Sequence, residues 1–427
     1  MTSDPRPLAE LSREELEAFA TEQRTAYDSL VAKGLKLDLT RGKPSANQLD
    51  LSDGLLQLPK STTAPDGTDT RNYGGLAGGI EIREIYAELL GLEAGQLIAG
   101  GNSSLTMMRD TLMYLWLHGG VDSERPWGRE ETVKFVCPVP GYDRHFTLLE
   151  WFGIEMVTVP MGADGPDADA VAALVKDDPA IKGMWLVPTY ANPTGDTTSQ
   201  EIADRLASMP TAAPDFKIFW DNAYALHHLT PAETKTADIV SLANAAGNPH
   251  RPLVFASTSK VTYAGAGVGF FGGSKENVAW WLGHLSHGAI GPDKVNHLRH
   301  AEFFGSAAGV REHMAKHREL LAPRFAAVED ALTAELGALG VATWTKPAGG
   351  YFVSLDVLPG TATRVIELAK GAGVALTPAG SAFPGKVDPE DTNIRLAPSF
   401  PPLEQVSGAM EVVTVCVKLA AAEKLLA

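Results

Sequence analysis

Seven short apolar runs, at residues 97–99, 133–137, 155–159, 183–187, 217–220, 253–256 and 268–271, recur through the middle of the chain. Helical patterns at 105–117, 168–176, 199–208 and 276–285 fall between them. Runs this short and this apolar suit strands covered on both faces, and the intervening helices supply the crossovers that parallel strands need. The alternation predicts an α/β large domain in three layers around a mostly parallel sheet. Ligands of such a sheet bind beyond the carboxyl ends of its strands.

The pattern changes near Gly305. A long helical stretch to Leu336 precedes strand-like residues 342–346 and 351–355, a helix at 362–370, strands near Val374 and Ile394, and a closing Ala-rich helix from Val412. This predicts a smaller α+β domain. At the other end, Ser12 and Glu15 form a capping box ahead of an amphipathic helix over 12–33, followed by an extended entry at 35–40 and a long surface connection to Asp69. The expected division is 1–60 as a helix and segment joining the small domain, 61–304 as the large domain, and 305–427 as the small domain.

A net charge of −16 disfavours nucleic acid and anionic membrane surfaces as partners. Cys137 and Cys416 are too few for a disulfide framework, and no apolar run resembles a secretory leader or a membrane span. A cytoplasmic protein is expected.

Three segments carry chemistry in a fixed order: Asn192-Pro193-Thr194-Gly195, Asp221-Asn222-Ala223-Tyr224 and Ser257-Thr258-Ser259-Lys260. A lysine just beyond a strand is ordinarily a solvated loop residue. Here a strand-end carboxylate, an amide and a phenol precede it, the set needed to hold pyridoxal phosphate as a Schiff base. Lys260 would bind the aldehyde carbon, Asp221 would pair with the pyridine nitrogen, and Asn192 and Tyr224 could donate to the phenolic oxygen. The turn from Gly100 to Ser104, between a strand and a helix, offers free amides at a positive dipole end for phosphate. Gly267-Val268-Gly269-Phe270-Phe271-Gly272 matches a dinucleotide pattern, but its glycines lie inside a strand-like run and no acidic residue follows at the required distance. No metal-ligand spacing and no G-x-S-x-G elbow is present.

Together these segments resemble the fold-type I pyridoxal phosphate enzymes, specifically class I aminotransferases of the aspartate aminotransferase type, over about residues 39–399. The resemblance implies pyridoxal 5'-phosphate as cofactor and catalytic roles for Lys260, Asp221 and Tyr224. It further implies Gly101, Asn102, Ser103 and Ser257 at the phosphate, Tyr142 stacked on the ring, and Asn192 beside the phenolic oxygen. Tyr73 would reach the phosphate of a partner subunit, which implies a homodimer with shared active sites. Gly42, Asn192 and Arg395 would bind substrate, Arg395 clamping the α-carboxylate.

One departure stands out: no arginine occurs between Val261 and Gly269, and Gly267 falls near the place where the common pattern puts a phosphate-binding one. This variant resembles a divergent subgroup related to the aminotransferase-like domains of MocR-type regulators. Lys294, Arg299, Arg144 and Arg41 are the candidates for a distal carboxylate. The resemblance implies amino transfer from L-aspartate to 2-oxoglutarate. Aromatic, alanine or aminoadipate donors, or a carbon-sulfur lyase, are the alternatives. A regulator would need a DNA-binding domain for which the segment before Gly42 is too short.

Overall fold

The computed structural model describes residues 6–427. Its main sheet has eight strands in the order Leu97–Ala99, Gly269–Gly273, Pro252–Ser257, Lys217–Asp221, Ile181–Leu186, Lys134–Val139, Glu155–Gly162 and Gly165–Pro166. The five from Pro252–Ser257 to Glu155–Gly162 run parallel. Gly269–Gly273 is antiparallel to both neighbours, and Gly165–Pro166 is antiparallel to the strand it pairs with. The sheet is thus mostly parallel, as the sequence alternation predicts.

Side chains along each strand divide between two cores, as the period of two requires. Phe135, Phe219, Leu253 and Phe255 pack under helices Ser104–His118, Asp143–Phe152 and Lys275–Leu285. Val136, Ile218, Trp220 and Val254 pack against Ala168–Val175, Gln200–Ser208 and Ile239–Ala245 on the other face. The three-layer α/β arrangement follows from this division.

A second, antiparallel sheet contains Ala342–Trp344, Val353–Val357 and Asn393–Leu396. It shares an apolar core with helices Ala362–Gly371 and Leu403–Leu426 and with Phe325, Val328 and Leu332 of the long helix Ala307–Leu336. Leu8, Leu16, Leu30 and Leu39 join the same core. The strand Leu37–Asp38 pairs in parallel with Val374–Ala375. The Ser12–Glu15 capping box closes the start of helix Arg13–Ala32. The long helix begins elsewhere: Val310 and Met314 pack with Ile82, Tyr86 and Phe270 of the large domain.

Several elements depart from the sequence expectation. Helices Ile80–Leu90, Asp143–Phe152, Ile239–Ala245 and Lys294–Phe304 are additional, a short helix Ala46–Asp50 interrupts the expected surface connection, and the closing helix begins at Leu403. The dinucleotide-like glycines lie in and beside the strand Gly269–Gly273, where they permit close packing. A Cβ on Gly269 would stand 3.1 Å from the Gly101 carbonyl oxygen. No helix among the described residues is long and apolar enough to cross a membrane.

Candidate active site

Asp221 is the last residue of its strand, in register with Phe255 on the neighbouring parallel strand. Lys260 follows three residues beyond the end of that neighbour at Ser257. The two groups therefore meet at the carboxyl edge of the sheet. Lys260 Nζ lies 4.8 Å from the centre of the Tyr224 ring. It has no hydrogen-bond partner among the described residues. Burial lowers its pKa from the ordinary lysine value, partly opposed by the charge of Asp221. Its backbone is held from behind: the Lys260 carbonyl accepts from His227 Nε2 at 3.2 Å and from the Tyr351 hydroxyl at 3.3 Å.

Asp221 is 3% exposed. His145 Nε2 donates to Asp221 Oδ2 at 3.0 Å, and the His145 ring is stacked on Trp185 with centroids 4.2 Å apart. Asp221 Oδ1 is buried with no partner among the described residues. Leaving a buried carboxylate oxygen unpaired costs at least about 1–3 kcal/mol, so this atom is arranged for a donor that enters the site. A protonated pyridine nitrogen is such a donor. The residues present fit pyridoxal phosphate on that ground.

Arg395 stands on the small-domain strand Asn393–Leu396, and its side chain is 12% exposed. Nη1 donates to Asn192 Oδ1 at 3.3 Å and to Asp143 Oδ1 at 3.4 Å, while Nη2 donates to Thr377 Oγ1 at 3.4 Å. Nε is buried and unpartnered among the described residues. The guanidinium lies 5.0 Å from the centre of the Phe352 ring. Gly42 closes that ring's other surroundings: a Cβ there would fall 2.0 Å from Phe352 Cζ, so no larger residue fits without moving the platform under Arg395. These bonds are long for charge-assisted ones, and a substrate carboxylate would compete for the same fork.

Tyr142 precedes helix Asp143–Phe152 and lines a pocket with His145, Trp185 and Asn192. Burial, with smaller effects of Asp221 and Asp143, pushes its pKa up to about 12. Tyr224 is buried, which raises its hydroxyl well above the usual range and keeps it a donor. Because Arg395 occupies Asn192 Oδ1, the Asn192 amide nitrogen is left to donate.

The turn before helix Ser104–His118 is joined to the loop after Lys260. Gly269 N donates to Gly101 O at 2.6 Å, Ser259 Oγ to Asn102 O at 3.2 Å, and Asn102 Nδ2 to Gly265 O at 3.3 Å. Ser103 Oγ caps the helix by accepting from Thr106 N. Ser257 Oγ accepts from Ser259 N at 3.4 Å. The Asn102 side chain is thus spent on the loop, and the amides of Gly101, Asn102 and Ser103 remain without backbone acceptors among the described residues. A Cβ on Gly267 would lie 2.8 Å from Thr258 Oγ1 and 3.0 Å from Tyr263 O, so the usual arginine has no room there.

Tyr73 does not join the buried cluster and is 81% exposed. The four cations considered for a distal carboxylate separate clearly. Lys294 donates to Asn72 O and Gly74 O at 2.7 and 2.6 Å, Arg299 donates to Asn296 Oδ1, and Arg41 donates to Asp38 Oδ2 at 3.1 Å. Arg144, exposed beside Tyr142, has no partner among the described residues.

Sequence reasoning missed His145, Asp143, Thr377, Phe352, His227 and Tyr351. Asp143 and His145 had a local signal, since they stand one and three residues after Tyr142, and His227 stands three after Tyr224; Thr377, Phe352 and Tyr351 approach from distant segments.

Comparisons with known proteins concern the chain as a whole. Residues 11–427 match the aspartate amino-transferase family model. The chain is 55% identical to an aspartate aminotransferase of Corynebacterium glutamicum over 418 residues, covering 97% of this chain and 96% of that one. It superposes on the crystal structure of an aspartate transaminase from the same organism with a TM-score of 0.97 at 54% identity, covering 99% and 100% of the two chains. The α-aminoadipate aminotransferase LysN of Thermus thermophilus, solved with N-(5'-phosphopyridoxyl)-L-leucine, shares the fold at a TM-score of 0.74 and 21% identity, covering 94% and 95%. The chain is an aminotransferase and belongs to the aspartate amino-transferase family.

Proposed function

We propose that this enzyme transfers the amino group of L-aspartate to 2-oxoglutarate with pyridoxal 5'-phosphate as cofactor, working as a cytoplasmic homodimer with shared sites. One convergence carries the reading: the Lys260 amine, Asp221 with its open buried oxygen and Arg395 with its open Nε all lie around Tyr224. Bound pyridoxal phosphate would supply an electron sink that stabilises negative charge on the substrate α-carbon.

The chain's own residues supply the rest. Lys260 would hold the cofactor's aldehyde carbon until substrate replaces it, and its freed Nζ would then take the proton from the substrate α-carbon. A lowered pKa leaves more of that amine neutral and able to accept. Asp221 Oδ1 would pair with the ring nitrogen while His145 holds Oδ2. Tyr224 and Asn192 Nδ2 would donate to the phenolic oxygen. The amides of Gly101, Asn102 and Ser103, with Ser257, would hold the phosphate at a helix N-terminus. Arg395 would orient the α-carboxylate as a two-pronged donor beside Gly42, a task for which lysine lacks the geometry.

The distal carboxylate is assigned to Arg144, because the other three candidate cations already serve neighbouring oxygens. The division at 1–60, 61–304 and 305–427 is proposed with this reading, supported by the shared core of the N- and C-terminal parts. Membership of the divergent, MocR-related subgroup is proposed as well, supported by Gly267 in the arginine's place.

The test is a donor profile. With 2-oxoglutarate as acceptor, aspartate should exceed alanine, phenylalanine and 2-aminoadipate by about a hundredfold in kcat/KM, and Arg144→Met should remove most of that preference while sparing alanine. Equal rates for all four donors in the wild type would overturn the substrate assignment.

A further inference from the structure

We infer that Lys294 is a positioning residue: it fixes the surface loop that carries Tyr73, so that the tyrosine is presented in a set direction to a second copy of this chain. The inference rests on the shared-site reading above and deepens it.

Tyr73 is 81% exposed, yet the backbone on both sides of it is tied down. Lys294 Nζ donates to the carbonyl of Asn72 at 2.7 Å and to that of Gly74 at 2.6 Å, the two residues that flank Tyr73. Lys294 is itself buried and forms no ion pair among the described residues. A buried ammonium held by carbonyl dipoles is a costly way to close an ordinary surface loop. The loop also carries left-handed backbone at Gly74 and Gly75, with φ of 94° and 71°. Close approach from the other side is built in. A Cβ on Gly291 would fall 2.4 Å from the Gly74 carbonyl oxygen, and one on Gly75 would fall 3.3 Å from Lys294 Cδ.

The lysine is anchored in turn. It opens helix Lys294–Phe304, whose Asn296 Nδ2 donates to Gly267 O at 2.8 Å, in the loop that follows Lys260. His297 accepts from Gly79 N at Nδ1 and donates through Nε2 to Gly100 O at 2.8 Å, at the start of the phosphate turn. One helix therefore grips this subunit's own phosphate turn and the loop that reaches outward. Lys294 is not free to bind a substrate carboxylate, and a role in holding the loop accounts for both of its bonds.

The experiment compares the full-length dimer with Tyr73→Phe, Lys294→Met, the double variant and Lys294→Arg. Pyridoxal phosphate affinity is read by spectral titration, and amide exchange of residues 71–75 is followed in the cofactor-free protein. Tyr73→Phe should weaken cofactor binding about tenfold. Lys294→Met should do nearly the same and speed exchange across the loop. The double variant should add little, because both changes remove one contact. Lys294→Arg, which retains the cation, should recover most of the affinity, and the ratio of aspartate to alanine turnover should stay constant throughout.

Wild-type affinity in Lys294→Met beside a weakened Tyr73→Phe would overturn the inference and leave the shared-site reading intact. A selective loss of aspartate turnover with normal cofactor binding would make Lys294 a substrate ligand instead. Unchanged affinity in Tyr73→Phe would remove the shared-site reading and this role together. If Lys294→Met does not fold, Lys294→Gln replaces it, with weakened cofactor binding and faster loop exchange as the supporting result and wild-type values as the contrary one.

Discussion

Restoring the arginine that this chain lacks, by Gly267→Arg, should damage the phosphate site rather than improve it. The backbone at Gly267 has φ −79° and ψ −168°, which other residues can adopt, so the obstacle is contact rather than conformation. A Cβ would sit 2.8 Å from Thr258 Oγ1, 3.0 Å from Tyr263 O and 3.4 Å from Ser259 N. Thr258 cannot swing aside freely, since its Oγ1 accepts from Val268 N at 2.9 Å and from Thr262 Oγ1 at 3.1 Å. Overpacking of this kind costs about 1–3 kcal/mol, and turning Thr258 away would orphan the Val268 amide for about 1–3 kcal/mol more. Gly267→Ala introduces the same Cβ and should lose a similar amount of stability, in the range of about 2–6 kcal/mol. The assay is a denaturant midpoint for the cofactor-free protein together with a spectral titration of pyridoxal phosphate. Both variants should unfold earlier and bind the cofactor more weakly, because the strain reaches Ser259 next to Lys260. Tighter cofactor binding by Gly267→Arg at unchanged stability would refute the reasoning.

Other consequences concern charge and protonation. Arg395→Lys should lower kcat/KM for aspartate about a hundredfold, close to 3 kcal/mol, since a lysine replaces a two-pronged donor by a point charge. Loss confined to KM below threefold would show that the fork is not used. Burial holds His227 and His317 at about 3 and His300 at about 4, below the ordinary histidine value of about 6.5. Their contribution to stability is therefore complete above pH 6.5 and lost as pH falls toward those values, because the unfolded chain takes up protons that the folded one refuses. At pH 4.5, His227 alone would account for a loss of about 3 kcal/mol. His227→Gln should flatten the acid limb of a urea-midpoint profile by about one proton, and an unchanged slope would count against its burial as the neutral form.

The central strands were readable because parallel strands buried on both faces present unbroken apolar runs, as at Lys217–Asp221 and Pro252–Ser257. Their ends put Asp221 and Lys260 at one edge of the sheet, and the order of the three surrounding motifs singled the two residues out. Helix Lys294–Phe304 is harder to read: it buries Lys294, Asn296, His297 and His300 beside Leu298, Ala301 and Phe304, so polar residues break up the apolar stripe on its inward face. Helix Ile80–Leu90 starts at Gly79 with no capping side chain, so no start signal precedes its apolar residues, although Gly91 is the left-handed cap at its end. His145 lies 76 residues from its partner Asp221, and Phe352 reaches Gly42 and Arg395 only after the small sheet assembles. Spacing along the chain shows strand ends and turns. It does not show which side chain fills the space behind them.

Absorbance of the purified enzyme loaded with pyridoxal phosphate tests the proposed reaction most directly. L-aspartate alone should bleach the yellow colour, and 2-oxoglutarate added afterwards should restore it, with oxaloacetate and glutamate appearing in equal amounts. A yellow enzyme that aspartate leaves unchanged, while another amino acid bleaches it, would contradict the assignment of aspartate as the donor.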